Sequence, residues 1–191
     1  MTTYPNGNGA HVEEEQAPES DRSEAETIEA LQRRIRELES ERAIDTVTNL
    51  PRRAVIAALV ATQIKHRRPF ALVFCDVDGL KQANDTHGHA AGDDLLVRVA
   101  ETLSANVREA TGDFVARWGG DEFLVLLNSP EDPYTAAARL RAAVCEAVAN
   151  FGAGLSVGVA THPEDGDTVS ALVRVADGRM YAAKRAGKAS R

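Results

Sequence analysis

Two adjacent carboxylates, Asp121 and Glu122, follow a glycine pair, Gly119-Gly120, between the short apolar runs 114–118 and 123–127. The β-branched and aromatic residues of those runs, with the glycines between them, predict a tight β-hairpin carrying both acids at its tip. Carboxylates exposed beside glycines, where a ligand can approach the backbone closely, suit a hard divalent cation such as Mg²⁺. Taken alone, an Asp-Glu pair at a hairpin tip is more often simply solvated.

A second acidic segment strengthens the metal reading. The apolar run from Pro69 to Cys75 reads as a buried strand that ends in Asp76-Val77-Asp78. Side chains at i and i+2 of a strand share a face, so Asp76 and Asp78 can meet Asp121 and Glu122 if the hairpin pairs alongside. Carboxylates crowded in this way repel one another unless a cation lies among them. Magnesium keeps waters or takes phosphate oxygens to complete its shell, which points to nucleotide chemistry.

The residues after Asp78 supply an anion site. Gly79-Leu80-Lys81 joins the strand to a helical segment, where free backbone N–H groups can bind anionic oxygens and Lys81 adds a charge. Asn84, His89 and Asp93 follow, with glycines separating a short helix from a longer one that begins near Ala90. A carboxylate such as Asp93 can accept hydrogen bonds from the amino group and ring N–H of guanine, an arrangement that adenine does not offer. Asp93 can equally cap a helix and offset its dipole, with His89 a turn residue. A zinc site at His87-Gly88-His89 is disfavoured, because no cysteine or further histidine lies at ligand spacing.

Together these segments resemble the GGDEF family of diguanylate cyclases, over roughly residues 45–188. Asp45-Thr46-Val47-Thr48-Asn49-Leu50-Pro51 is similar to the family's opening Asp-x-Leu-Thr-Gly-Leu-Pro. Asp76 to Asp85 and Gly88 to Asp93 match its Asp-x-Asp-x-x-Lys-x-x-Asn-Asp and Gly-His-x-x-Gly-Asp signatures. Ser156 to Ala160, Ala176-Asp177 and Met180 to Lys188 resemble its late strand and last helix. Separated motifs in the right order carry far more weight than one pentapeptide.

The resemblance implies that two GTP molecules on facing subunits are condensed into cyclic di-GMP with loss of pyrophosphate, using Mg²⁺, or Mn²⁺ in its place. It implies a metal site at Asp76, the Val77 carbonyl, Asp121 and Glu122, with Asp121 also at the position of the proton acceptor. Lys81 falls where the pentavalent phosphate is stabilised. Gly79, Leu80, Asn84, His89, Asp93, Gly119, Gly120, Lys184 and Lys188 fall at substrate-binding positions. Without the resemblance, Lys184 and Lys188 would read as a solvated helix end favoured by the macrodipole.

Departures from the family pattern are informative. Gly79 and Leu80 replace bulkier residues at positions that act through the backbone, and Asn49 and Arg52 differ in the opening motif, away from the chemistry. The inhibitory product site of many relatives, Arg-x-x-Asp, here reads Ala110-Thr111-Gly112-Asp113. A methyl group cannot make a bidentate contact, and Arg108 is out of register. Feedback inhibition through this site is therefore expected to be weak or absent.

The 191 residues, 43% of them hydrophobic, suffice for one substantial core. Residues 1–44 hold 11 acids against 5 bases, and the remainder 18 against 17, so the net charge of −7 sits mostly at the front. No basic, aromatic-rich patch points to nucleic acid. Cys75 and Cys145 read as free thiols of a reducing compartment. No segment has the length or composition of a signal peptide or membrane span, so a cytoplasmic protein is expected.

Residues 1–23 are poor in bulky apolar side chains and are expected to form a disordered acidic tail. Over 24–44, Ile28, Leu31, Ile35 and Leu38 form a narrow apolar stripe, an amphipathic stalk helix that can pair as a short coiled coil and bring two subunits together. This leaves no room for a recognisable sensor domain, so input is expected through a regulatory protein partner or through expression level. Residues 45–191 are the expected catalytic domain.

Strands near 70–77, 112–118, 123–128 and 154–161 are predicted among helices over 51–67, 90–107, 133–149 and 168–186. This is an α+β pattern and, by the resemblance, a palm-like, ferredoxin-like antiparallel sheet flanked by helices and preceded by an N-terminal helix. Three functions compete: an active diguanylate cyclase, a catalytically silent module binding GTP or cyclic di-GMP, and another metal-dependent nucleotide cyclase or polymerase-like enzyme. The intact acids and missing product-site arginine favour the first.

Overall fold

A computed structural model describes residues 43–128 and 132–189, apart from the side chains of residues 109 and 187–189. The expected tail and nearly all of the expected stalk helix lie outside the described residues. Ile44, at the end of that stretch, forms an isolated antiparallel bridge with Pro51 and so belongs to the folded part that follows.

The elements run α1 (Arg53–Lys65), β1 (Phe70–Asp78), α2 (Leu80–His87), α3 (His89–Ala105), β2 (Phe114–Arg117), β3 (Glu122–Asn128), α4 (Pro133–Ala147), β4 (Gly154–His162) and α5 (Val169–Ala189). The strands form one sheet in the order β2-β3-β1-β4, and every neighbouring pair is antiparallel. The central strand β1 is covered on both faces, which explains its continuous apolar run.

Alternation along β1 divides the core in two. Ala71, Val73, Cys75 and Val77 pack with Leu95, Val99 and Leu103 of α3 and Leu140 and Val144 of α4. Phe70, Leu72 and Phe74 pack on the other side with Ile56 and Val60 of α1 and Leu172, Ala176 and Met180 of α5. Burial holds the Cys75 thiol protonated by raising its pKa to about 12, so it acts as a small apolar core residue.

The fold class agrees with expectation, and the differences lie at element ends. Helix α1 begins at Arg53 rather than Pro51, because Pro51 and Arg52 are extended: the Arg52 N–H donates to Ala43 O and the Arg117 N–H to Pro51 O. Strand β2 begins at Phe114 rather than 112, because Gly112 turns with φ +77° and Asp113 closes that turn through its carboxylate.

Helix α5 lies unusually close to β4. A Cβ built on Gly158 would sit 2.1 Å from Ala176 O and 2.2 Å from Met180 N, both backbone atoms that cannot swing aside. Only glycine permits this approach. Gly158→Ala is therefore expected to lower stability by about 3 kcal/mol in urea unfolding, at the upper end of overpacking costs. An unchanged unfolding midpoint would contradict this packing.

Candidate active site

Strand register sets the acids side by side. Asp76, near the end of β1, is directly opposite Glu122 on β3 and Ser156 on β4. Opposed residues share a face, here the face toward α1 and α5. Two residues on, Asp78 Oδ2 accepts a hydrogen bond from Ser156 Oγ at 2.8 Å. Lys184 of α5 bonds to Asp76 Oδ1, with its Nζ also 3.5 Å from Asp78 Oδ1.

Burial first, and crowding second, acts on both central acids. Burial raises the Asp76 pKa above the ordinary carboxylate value, the Lys184 ammonium opposes it, and Asp121 and Asp78 add repulsion. Burial also raises that of Glu122, with Asp121, Asp76 and Asp177 adding to the shift and Arg53 opposing it. The Arg53 guanidinium lies over the Trp118 ring, 4.4 Å from its centre.

The hairpin differs from the expected glycine-pair turn. Strand β2 stops at Arg117 and β3 starts at Glu122, so the connection is 118–121 and only Asp121 belongs to the tip. The N–H groups of Trp118 and Gly119 both donate to Glu122 O, at 2.8 and 3.2 Å. Neither Gly119 nor Gly120 has a positive φ. Gly119 is needed for another reason: a Cβ there would lie 2.5 Å from Glu122 Oε2.

An arginine that the sequence reading passed over holds this tip. Arg117 Nη2 donates to Gly120 O at 2.6 Å and Nε to the carbonyls of Gly119 and Gly120, each at 3.2 Å. Its Nη1 donates to Asp45 Oδ1 at 2.7 Å. Asp45 also accepts from the Thr48 N–H and hydroxyl, both at 2.9 Å, and from Arg52 Nη2 at 3.0 Å. The Val77 N–H donates to Asp121 O at 3.0 Å, fixing the tip against β1. A cation two residues ahead of a glycine pair was the available signal, but its partner Asp45 is far away in sequence.

Beyond β1, Gly79 takes φ +90° and starts α2. A cavity of about 630 Å³ opens there, walled by Val77 to Gln82, Asp121, Gly152 to Ser156, Arg141 of α4 and Lys184. Lys81 and Gly79 are thus brought to one space with Lys184. Asn84, His89 and Asp93 are not in its wall. Asn84 lies over Gly92, where a Cβ would come within 1.9 Å of its Oδ1, while His89 and Asp93 are exposed at the start of α3. That helix begins at His89 with Gly88 before it, so Asp93 is not its cap. Lys188 lies on α5, and its side chain is outside those described.

Among the described residues, no three His, Cys, Asp or Glu side chains are gathered closely enough to hold a metal. The expected meeting of all the acids is accordingly incomplete, because Asp78 is turned to Ser156 and Asp76 is engaged by Lys184. The chemistry of the donors, if not their gathering, suits a hard dication: the half-buried carboxylates of Asp76 and Glu122 are opposed across strands, and Asp121 adds to the raised pKa of both.

In the segment 110–113, Asp113 is committed to the fold. Its carboxylate accepts from the N–H groups of Arg108 (3.1 Å) and Asn128 (2.8 Å), and Arg108 Nε stands 3.7 Å away.

The family model "Diguanylate cyclase, GGDEF domain" matches residues 42–190. The chain belongs to this family. It is 44% identical over 87 residues to the diguanylate cyclase TpbB of Pseudomonas aeruginosa, a match covering 44% of this chain and 20% of that protein. The chain spans a fifth or less of the length of the curated relatives matched first. A crystal structure of a sensory box/GGDEF family protein from Caulobacter crescentus is similar with TM-score 0.66 and 35% identity, over 76% of this chain and 99% of that one. So is that of the diguanylate cyclase SiaD in complex with its activator SiaC, from Pseudomonas aeruginosa, with TM-score 0.66 and 30% identity over 88% and 68%.

The Asp45 knot has a predictable pH signature. Burial would raise the Asp45 pKa, but hydrogen bonds from Thr48 and Arg117 outweigh it and hold the group at about 2 against 3.8 when free. A lowered folded-state pKa means that the stabilisation is complete above about pH 4 and is lost as pH falls through about 2. Asp45→Asn should therefore cost about 2 kcal/mol at neutral pH, with the gap to wild type closing toward pH 2 in urea titrations. A gap independent of pH would contradict the assignment.

Proposed function

We propose that this chain is a diguanylate cyclase that condenses two GTP molecules into cyclic di-GMP and two pyrophosphates, working as a homodimer whose catalytic faces meet. The observation that carries the reading is the pairing of Asp76 with Glu122 across β1 and β3, with Asp121, which acts on the pKa of both, in the wall of a cavity that also holds Gly79, Lys81 and Lys184.

In each half-reaction a 3′-hydroxyl oxygen bonds to the α-phosphorus of the facing nucleotide, and the α–β phosphoanhydride bond breaks. The hydroxyl proton passes to Asp121, and the electron pair leaves with pyrophosphate. Asp76, the Val77 carbonyl, Asp121 and Glu122 would hold a magnesium or manganese ion, which supplies charge neutralisation and a more acidic hydroxyl. The backbone N–H groups of Gly79 and Leu80 and the Lys81 ammonium receive phosphate oxygens. Gly119 and Gly120 allow the substrate close to the hairpin backbone. Asn84, His89 and Asp93 orient guanine, and Lys184 and Lys188 offset triphosphate charge.

The organisation proposed from the sequence is an acidic tail over 1–23, a stalk helix over 24–44 that favours dimerisation and ends before Ile44, which pairs with Pro51, and a catalytic domain over 45–191. A regulatory protein partner acting on the stalk is part of this proposal, and the solved complex of SiaD with its activator supports it. Among the described residues no helix is long and apolar enough to cross a membrane. Use of GTP favours a cytoplasmic site of action.

Incubating the purified protein with GTP and Mg²⁺ and separating the products by chromatography should yield cyclic di-GMP. Absence of product, or cyclic GMP or linear polymer instead, would overturn the reading. Asp121→Ala should abolish turnover, and near-normal activity in that variant would refute its role as proton acceptor. Because Ala110 offers no guanidinium and Asp113 is used by the fold, micromolar cyclic di-GMP should leave the rate unchanged, whereas a marked fall would show that a product site persists.

A further inference from the structure

Arg141 is a cation that the proposed chemistry has not used. It lies on α4, and its Nε donates to Leu155 O at 3.2 Å, at the start of β4. This one bond fixes the stem and leaves both terminal nitrogens, with four N–H donors, without a recorded acceptor among the described residues. The side chain forms part of the same cavity wall as Gly79, Lys81 and Lys184.

The topology explains why it arrives there. In the sheet order β2-β3-β1-β4, Asp121 lies on the β3 side of β1 and Leu155 on the β4 side. Helix α5 brings Lys184 from one face of the sheet, helix α4 brings Arg141 from the other, and the β1–α2 junction supplies Lys81 between them. Lys184 is occupied by Asp76 and Asp78, whereas no carboxylate is paired with Arg141 among the described residues. A planar guanidinium tethered by one nitrogen and open at the other two is suited to bidentate binding of a phosphate.

We propose that Arg141 binds the terminal phosphates of the nucleotide, and hence the departing pyrophosphate, on the side of the cavity away from Asp121. The inference rests on the nucleotide-site reading but concerns polyphosphate binding rather than cyclisation. Inorganic pyrophosphate, GTP and GMP are therefore the probes, measured by calorimetry on the full chain without turnover, with thermal melting as the check on folding.

Arg141→Gln should weaken pyrophosphate and GTP binding by about tenfold or more, the scale of a lost charge-assisted contact, and leave GMP binding unchanged. Arg141→Lys, which keeps the charge, should recover part of that loss and serves as the test if the glutamine variant does not fold. Equal pyrophosphate affinity in wild type and the folded variants would overturn the proposal, as would a uniform loss for all three probes, the mark of a purely structural arginine. A wild-type chain that binds pyrophosphate through Arg141 but makes no cyclic di-GMP would support this inference while sinking the cyclase reading. A wild type that binds neither pyrophosphate nor GTP would overturn both.

Discussion

Repulsion between carboxylates that strand pairing forces together is the constraint around which this fold is arranged. The register of β1 with β3 puts Asp76 beside Glu122, and burial at the end of the sheet denies both the full shielding of water. The chain offsets this with a lysine rather than by separating the acids. Delivering Lys184 requires α5 to lie almost against β4, which in turn requires that residue 158 have no side chain. Keeping like charges together in this way is the preorganisation that the proposed cation and anionic substrate require.

The second support comes from the opposite direction in the sequence. Asp45, in the loop leading into α1, grips Arg117, and Arg117 grips the two glycine carbonyls of the β2–β3 hairpin. The hairpin tip is therefore held by a buried charge pair and by the Val77 to Asp121 backbone bond as well as by its own strands. Movement of the loop at Asp45 would be felt at Asp121 through a single side chain.

Much of this was legible because it is written locally. The continuous apolar run of β1, the alternation that places Asp76 and Asp78 together, and the glycine before α2 each follow from neighbours within a few residues. The hairpin was legible in existence but not in geometry: the glycine pair reads as the connection of a tight turn, whereas the connection spans 118–121 and Gly119 is there to clear the Glu122 carboxylate. Arg117 and Arg141 were missed because their importance is tertiary. Arg117 reads as the polar end of a strand until Asp45 comes alongside, and Arg141 reads as a solvated helix charge until α4 packs on β4. Likewise, nothing in the spacing of Asp78 reveals that Ser156 turns its carboxylate.

The central claim is that Asp76 and Glu122 form the walls of a dication site rather than a merely strained pair neutralised by lysine. Electron paramagnetic resonance of Mn²⁺ titrated into the protein with a non-reacting GTP analogue addresses it directly. Wild type should bind the ion, and Glu122→Gln, which keeps shape and removes charge, should weaken binding by about tenfold or more. Mn²⁺ affinity that is the same in wild type and in a folded Glu122→Gln variant would contradict the account.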